Sequence, residues 1–484
     1  MFKKKYDANL IVIGAGAAGL VSSYIASVVK AKVILIEKHK MGGDCLNTGC
    51  VPSKAIIRSA KINSYIARAE KFGIDVKGSN INFSNIMSRV QSVISRIEPH
   101  DSIERYTKLG VDCIKGDAKI LDANTVVVNG RKITTRNIII ATGARPLIPK
   151  IPSLEKVNYF TSDTIWDIKT LPKNLLVLGG GAIGCELSQC FSRLGSSVTQ
   201  IVRGARLLKN EDIVVSDEVT KKFISEGIVV KTNSDVLRFE INDSKSENII
   251  VYKNNSGNTH SLTFDAVLIA VGRKANTSDL GLENVNIELL DNGAIKVNKY
   301  LQTNIKNIYS CGDVIGAYQF THIASHQAWF AVVNSLFGMF KKFKVDYSVL
   351  PWATFIDPEV ARVGLNESEA QQKSIKYDLT QYDISDLDRA ITDDEDYGLV
   401  RVLTKKGSDK IIGVTVVGNH ASEIITEFVL AMKYKLGLNK ILSTIHIYPT
   451  YSEANKYAAG AWKRANTPHR LLVYVQKFLQ WMRS

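Results

Sequence analysis

Cys45 and Cys50, five positions apart in the segment GGDCLNTGCVPSK (42–54), are the side chains of this sequence best suited to chemistry. A thiol pair can hold a metal, clip the chain or shuttle electrons. A metal site needs three or four soft ligands, and no second Cys-x-x-Cys or histidine pair lies near enough in sequence to complete one. A structural disulfide across so short a loop stabilises little, and a reducing cytosol would open it. A catalytic dithiol is what remains. Pro52 suits the first turn of a helix, which sets Cys50 at a helix N-terminus, where partial positive charge lowers a thiol pKa. A thiolate held there exchanges electrons with its neighbour Cys45.

Such a pair needs elements to hold it against an electron source. The run NLIVIGAGAAGLVSSYIASVVKAKVILIEK reads as strand, glycine turn, helix and strand, with Gly14, Gly16 and Gly19 in G-x-G-x-x-G spacing and Glu37 closing the second strand. In that context the first glycine permits the tight turn, the second lets backbone approach a pyrophosphate, and the third lets helix pack on strand. Glu37 would accept from ribose hydroxyls. The pattern returns in NLLVLGGGAIGCELSQCFSRLGSSVTQIVR with Gly179, Gly181 and Gly184, so two dinucleotides are implied. No acidic residue ends this second unit. Arg203 follows instead, then Arg206 and Lys209, and bases there suit the 2′-phosphate of NADPH, with NADH as the alternative.

Two similar strand-to-turn segments, IIIATGARP with Thr142 and Gly143, and VLIAVGRKAN with Gly272, read as exits from the two nucleotide domains. NIYSCGDV places Asp313 directly after a strand. From about Tyr347 strand-rich segments give way to helical ones, which suggests a separate α+β domain.

At 484 residues and 45% hydrophobic content, the length suits about three domains. Six cysteines are too few for a secreted disulfide scaffold and favour the cytoplasm, with Cys185, Cys190 and Cys311 as core residues. The net charge of +15 is scattered along the chain without any RNA-binding or zinc-finger motif, so nucleic acid is not an expected partner. The uncharged run Ala8–Val29 resembles a signal peptide or a membrane span, but a buried strand, glycine turn and helix account for it better. Residues 466–484 read as an amphipathic basic tail helix. From Ala454 onward there are six Lys or Arg and no acid, which suits weak contact with a membrane surface, although packing on the protein's own body is the plainer expectation.

Together GAGAAG, GGDCLNTGCVPSK, ATGARP, GGGAIGCE, VGRKAN and YSCGDV resemble the flavin-dependent pyridine nucleotide-disulfide oxidoreductases, over about Tyr6 to Trp462. The resemblance implies an α/β fold with two Rossmann-like dinucleotide-binding domains and a C-terminal α+β dimerisation domain. FAD would be held by 1–147 and 277–346, NAD(P)H by 148–276, and the dimer by 347–465. It further implies a homodimer with an active site shared across subunits, and hydride passing from NADPH to FAD and on to the disulfide. Cys50 would face the flavin and Cys45 would exchange with the acceptor. Lys54 and Glu186 would pair near the flavin, and Asp313 would hold its ribityl chain.

One stretch departs from the disulfide-reducing pattern. Those members carry a histidine directly before Pro-Thr and a glutamate five residues after it. Here IHIYPTYSEANK has Tyr448 in the histidine's place, keeps Glu453, and has His446 two residues earlier. A histidine near neutral pKa contributes roughly 100- to 10,000-fold by moving protons between thiols. A phenol with pKa ~10 is a poor substitute. His446 would either replace the missing base or be structural. Mercuric reductases resemble this chain in carrying a tyrosine here, so a small acceptor, such as a thiophilic metal ion, is expected. No cysteine follows Cys311 to deliver mercury, which leaves copper or a quinone equally open. The alternatives are an NADH-linked dihydrolipoamide dehydrogenase and a slow redox-sensing flavoprotein.

Overall fold

A computed structural model describes residues 5–78, 80–242 and 247–483. The chain forms two compact units, Met1–Ala205 with Glu226–Asp346, and Arg206–Ser225 with Tyr347–Ser484.

In the first unit, strand β1 (Ala8–Ile13) runs parallel to β2 (Val33–Glu37) on one side and to Arg131–Ile140 on the other, with Ile11 opposite Ile34 and Ile138. Helix α1 (Ala17–Val28) makes the crossover. Strands covered on both faces read as unbroken apolar runs, which is why LIVI and VILI mimic a membrane segment. Leu10, Ile11 and Val12 are fully buried in a seven-stranded sheet. A second, five-stranded sheet is parallel throughout. It is built around Asn174–Leu178, Ser197–Ile201 and Ala266–Ile269, and the helix Ala182–Arg193 follows its central strand. The two exit segments meet: Ala144–Pro146 pairs antiparallel with Arg273–Ala275.

The second unit holds a five-stranded antiparallel sheet, from Pro351–Thr354 to Tyr377–Asp383, on which the helices Ala421–Lys433 and Glu453–Ala465 pack. Phe428 and Trp462 lie in the core between them. Arg362, 1% exposed, pairs with Glu211 at 3.0 Å and Glu369 at 3.1 Å and stacks on Trp352. A buried guanidinium paired with two carboxylates fixes a loop from the 206–225 segment to this sheet. The tail helix His469–Trp481 forms as the sequence expects, but its apolar residues stay exposed instead of packing on the body of the chain. Among the described residues no helix is long and apolar enough to cross a membrane.

Candidate active site

The dithiol is built by two short elements. Cys45 lies in α2 (Gly43–Asn47), and Cys50 opens α3 (Cys50–Ala67). Gly43 turns with φ +56, and a Cβ there would come within 2.7 Å of the Gly16 Cα, so the cysteine turn lies directly against the first glycine loop. All six cysteines are free thiols. Burial pushes the Cys311 thiol up to about 12, and it raises the Cys190 thiol as well, so both are inert core groups, as is the buried Cys185.

Cys50 behaves differently. A hydrogen bond from Cys45, outweighing burial, holds its thiol down to about 6, helped by the Thr321 hydroxyl and the Lys54 charge. Its Sγ lies 3.3 Å from Thr321 Oγ1, at the first residue of the helix Thr321–Phe337. The same hydrogen bond, with burial and the Cys50 charge, pushes the Cys45 thiol up. One proton and one charge are thus divided unequally over the pair: Cys50 is the thiolate and Cys45 the thiol. Lys54, one turn into α3, donates to Glu186 Oε2 at 2.8 Å. Since Glu186 belongs to the helix of the second glycine unit, this bond ties the dithiol helix to that unit. Asn63 repeats the tie further along α3, donating to the Arg193 carbonyl at 2.7 Å.

The surroundings fit a dinucleotide with a long polar linker. Gly14 has φ +102, and a Cβ there would come 2.4 Å from the Ala141 oxygen; one on Gly19 would come 1.7 Å from the Gly14 oxygen. At Gly16 the nearest atom to a Cβ would be 3.9 Å away, so backbone is open to a ligand at the uncapped start of α1. Glu37 accepts from the Ala15 N–H and the His39 N–H, each at 2.7 Å, and so fixes the loop at the end of β2. Gly181 is similarly open, at the uncapped start of the helix Ala182–Arg193. The Thr142 hydroxyl donates to the Asn276 carbonyl at 2.7 Å, and Asn276 N–H donates to the Gly143 carbonyl at 3.0 Å, which clamps the exits together beside Gly272. Burial raises the Asp313 carboxyl to about 6 against the pull of Arg273, 3.6 Å away.

Residues 8–328 match the pyridine nucleotide-disulphide oxidoreductase profile, and residues 350–459 match the dimerisation domain of the same family. The chain belongs to the pyridine nucleotide-disulphide oxidoreductases. It is 35% identical to a mercuric reductase of Lysinibacillus sphaericus over 93% of this chain and 82% of that one. It is also 35% identical to a dihydrolipoyl dehydrogenase of Chlamydia pneumoniae over 95% and 97%. Among solved structures it resembles the Cu(II) complex of RclA, an HOCl-induced flavoprotein disulfide reductase from Escherichia coli. That match has 25% identity and a TM-score of 0.83 over 95% of this chain and 99% of the other. As a pyridine nucleotide-disulphide oxidoreductase, the protein is a flavin-dependent enzyme that uses FAD and NAD(P)H.

The first unit of this oxidoreductase contains Cys45, Cys50, Lys54, Glu186 and Asp313 together with both glycine loops, Glu37, Thr142, Gly143, Arg203 and Gly272, whereas Lys209, His446, Tyr448 and Glu453 belong to the second. Arg203 is exposed just past the strand Ser197–Ile201, while Lys209 lies in the second unit, where its carbonyl accepts from Arg206 at 3.1 Å. Tyr448, 65% exposed, donates to Asp388 Oδ2 at 3.0 Å, and that bond raises the phenol pKa. His446 is held by Glu427 at 3.1 Å. Glu453 is buried and accepts from the Thr450 N–H at 3.1 Å, closing the turn that leads into the helix it begins. Sequence reasoning missed Arg273, which bridges Asp44 beside Cys45, the Ala144 carbonyl at 2.6 Å and Asp313. Its position in VGRKAN was the one available signal. Thr321 was missed as well.

Proposed function

We propose that this enzyme is an NADPH-linked reductase of a soft metal ion such as Hg(II) or Cu(II), working as a homodimer with Cys45 and Cys50 as the thiol relay. The observation that carries this reading lies in the second unit, where a proton carrier for thiol exchange would stand. Tyr448 occupies that place, and the hydrogen bond to Asp388 keeps its phenol protonated at neutral pH. His446, the nearest imidazole in sequence, is engaged by Glu427. Cleaving a disulfide substrate requires a proton for the departing thiolate, whereas reducing a soft cation requires thiolate ligands and electrons only.

When bound, FAD would supply two-electron redox chemistry between the nicotinamide and the thiol pair or the acceptor. The chain's own part is to keep Cys50 ionised beside Cys45, to hold Lys54 against Glu186, and to exclude acidic side chains from the end of the strand Ser197–Ile201. The balance is NADPH plus Hg(II) giving NADP⁺, Hg(0) and a proton, or the same electron pair divided over two Cu(II). The likeness to mercuric reductase and to a reductase solved with Cu(II) supports a metal acceptor. The scarcity of cysteines, six in 484 residues, supports a cytoplasmic setting.

The second reading, an NADH-linked dihydrolipoyl dehydrogenase, draws on the near full-length match to the Chlamydia enzyme. Steady-state oxidation of NADPH and NADH, with lipoamide compared against Hg(II) and Cu(II) buffered by excess thiol, separates the two. Fast NADPH-linked metal reduction with negligible lipoamide turnover is the expected result. Brisk NADH-linked lipoamide turnover would overturn the proposal.

A further inference from the structure

The tail helix His469–Trp481 presents an apolar face that stays exposed among the described residues of its own chain. Leu471, Val475, Phe478, Leu479 and Met482 follow helical spacing along one side, and Phe478 remains 54% exposed. Tyr474 and Trp481, at 70% and 71% exposure, lie at one border of this face, the position amphipathic aromatics take at a membrane–water boundary. Arg470 and Lys477 flank that same border, and Arg483 flanks the opposite one. No acidic residue occurs from Ala454 to the end of the chain.

We infer that this helix docks the enzyme reversibly on an anionic membrane surface, lying flat with its apolar face among the acyl chains and its bases at the headgroups. Charge complementarity selects this occupant. A second copy of the helix would set the same bases against one another, and the whole chain carries a net +15, whereas a layer of anionic headgroups supplies the opposite sign. At 13 residues the helix is roughly 20 Å long, too short to cross a bilayer but of ordinary size for an interfacial one.

The test is flotation of the full-length, FAD-bound protein with phosphatidylcholine vesicles and with vesicles that also contain phosphatidylglycerol. The intact chain is expected to float with the anionic vesicles and to be released by high salt. Phe478→Glu, and separately a chain ending at Thr467, are expected to lose flotation by roughly tenfold or more. Both should keep the NADPH oxidation rate and the melting temperature of the intact protein, because the helix is exposed along its length and supplies none of the expected site residues. Failure of the intact protein to float overturns the inference, as does equal flotation with both vesicle types. Undiminished flotation of the shortened chain also overturns it, placing lipid contact elsewhere, for example at the exposed Met339 and Phe340. A shortened chain that changes oligomeric state and still floats would assign the helix to contact between copies, and likewise overturns it.

Discussion

The two glycine units of this enzyme share their sterics and differ in their electrostatics. Gly14 and Gly179 both turn with positive φ, +102 and +117, and a Cβ on either would run into the carbonyl oxygen of Ala141 at 2.4 Å or of Ala270 at 2.2 Å. Gly19 and Gly184 each abut the carbonyl of the first glycine of their own unit, and Gly16 and Gly181 are both open. The strands also agree in register: Gly14 N–H donates to the Ile36 carbonyl, and Gly179 N–H donates to the Ile201 carbonyl. That alignment puts Val202 where Glu37 stands. Glu37 gathers the Ala15 N–H of the first glycine loop and the His39 N–H just beyond its own strand, whereas buried Val202 is followed by exposed Arg203. Backbone shape is therefore common to both glycine loops, and on the NADPH-linked reading proposed above discrimination would lie in the residue at the end of the second strand and in the one after it.

The largest effects should come from breaking the shared part. Gly14→Ala adds a methyl group at a backbone angle that L-residues avoid and within overlap of a carbonyl, and the protein should purify without its yellow flavin colour. Gly179→Ala repeats the same clash in the other unit. That variant should remain yellow but lose roughly a hundredfold or more of its NADPH oxidation rate. Visible absorbance and steady-state rates check the pair, and a colourless Gly179→Ala protein would show that the two sites are not independent. The part that differs should yield a smaller change. Val202→Glu combined with Arg203→Ser supplies the missing carboxylate and removes a base, so KM for NADPH should rise by roughly 10- to 100-fold while KM for NADH falls.

Much of this site was legible because it is local. Glycine spacing between an apolar strand and a helix reports backbone sterics directly, so both loops and the dithiol turn could be read from short windows. The pairing of Lys54 with Glu186 followed from family resemblance, since 132 residues separate them. Arg273 and Thr321 went unread for the same physical reason: their partners, Asp44 and Cys50, lie 229 and 271 residues away, and no periodicity encodes such contacts. The tail illustrates the converse. Its amphipathic period was plain, yet periodicity gives a helix's apolar side without telling what that side meets, and here its own chain does not meet it.

The smallest effects concern how far the helix of the second glycine loop reaches into the chemistry of the dithiol. In the reduced enzyme, Cys50 should alkylate as a thiolate above about pH 6 and slow as pH falls through that value, because the folded site holds its pKa below the ordinary 9.0. Cys45→Ala removes the hydrogen bond that contributes most to this depression, so the midpoint should move well up toward 9.0. Lys54→Met removes a contribution ranked behind Cys45 and Thr321, and the midpoint should rise by less than about one pH unit. Glu186→Gln should act in the opposite sense, because the Glu186 charge raises the Cys50 pKa and its removal lowers the midpoint slightly. Alkylation rate against pH, with the modified cysteine identified by mass, measures all three. Opposite displacements in the Lys54 and Glu186 variants would show that the nicotinamide-side helix tunes the thiolate electrostatically. Unchanged midpoints in both would leave the pair a mechanical tie between two units joined only by position.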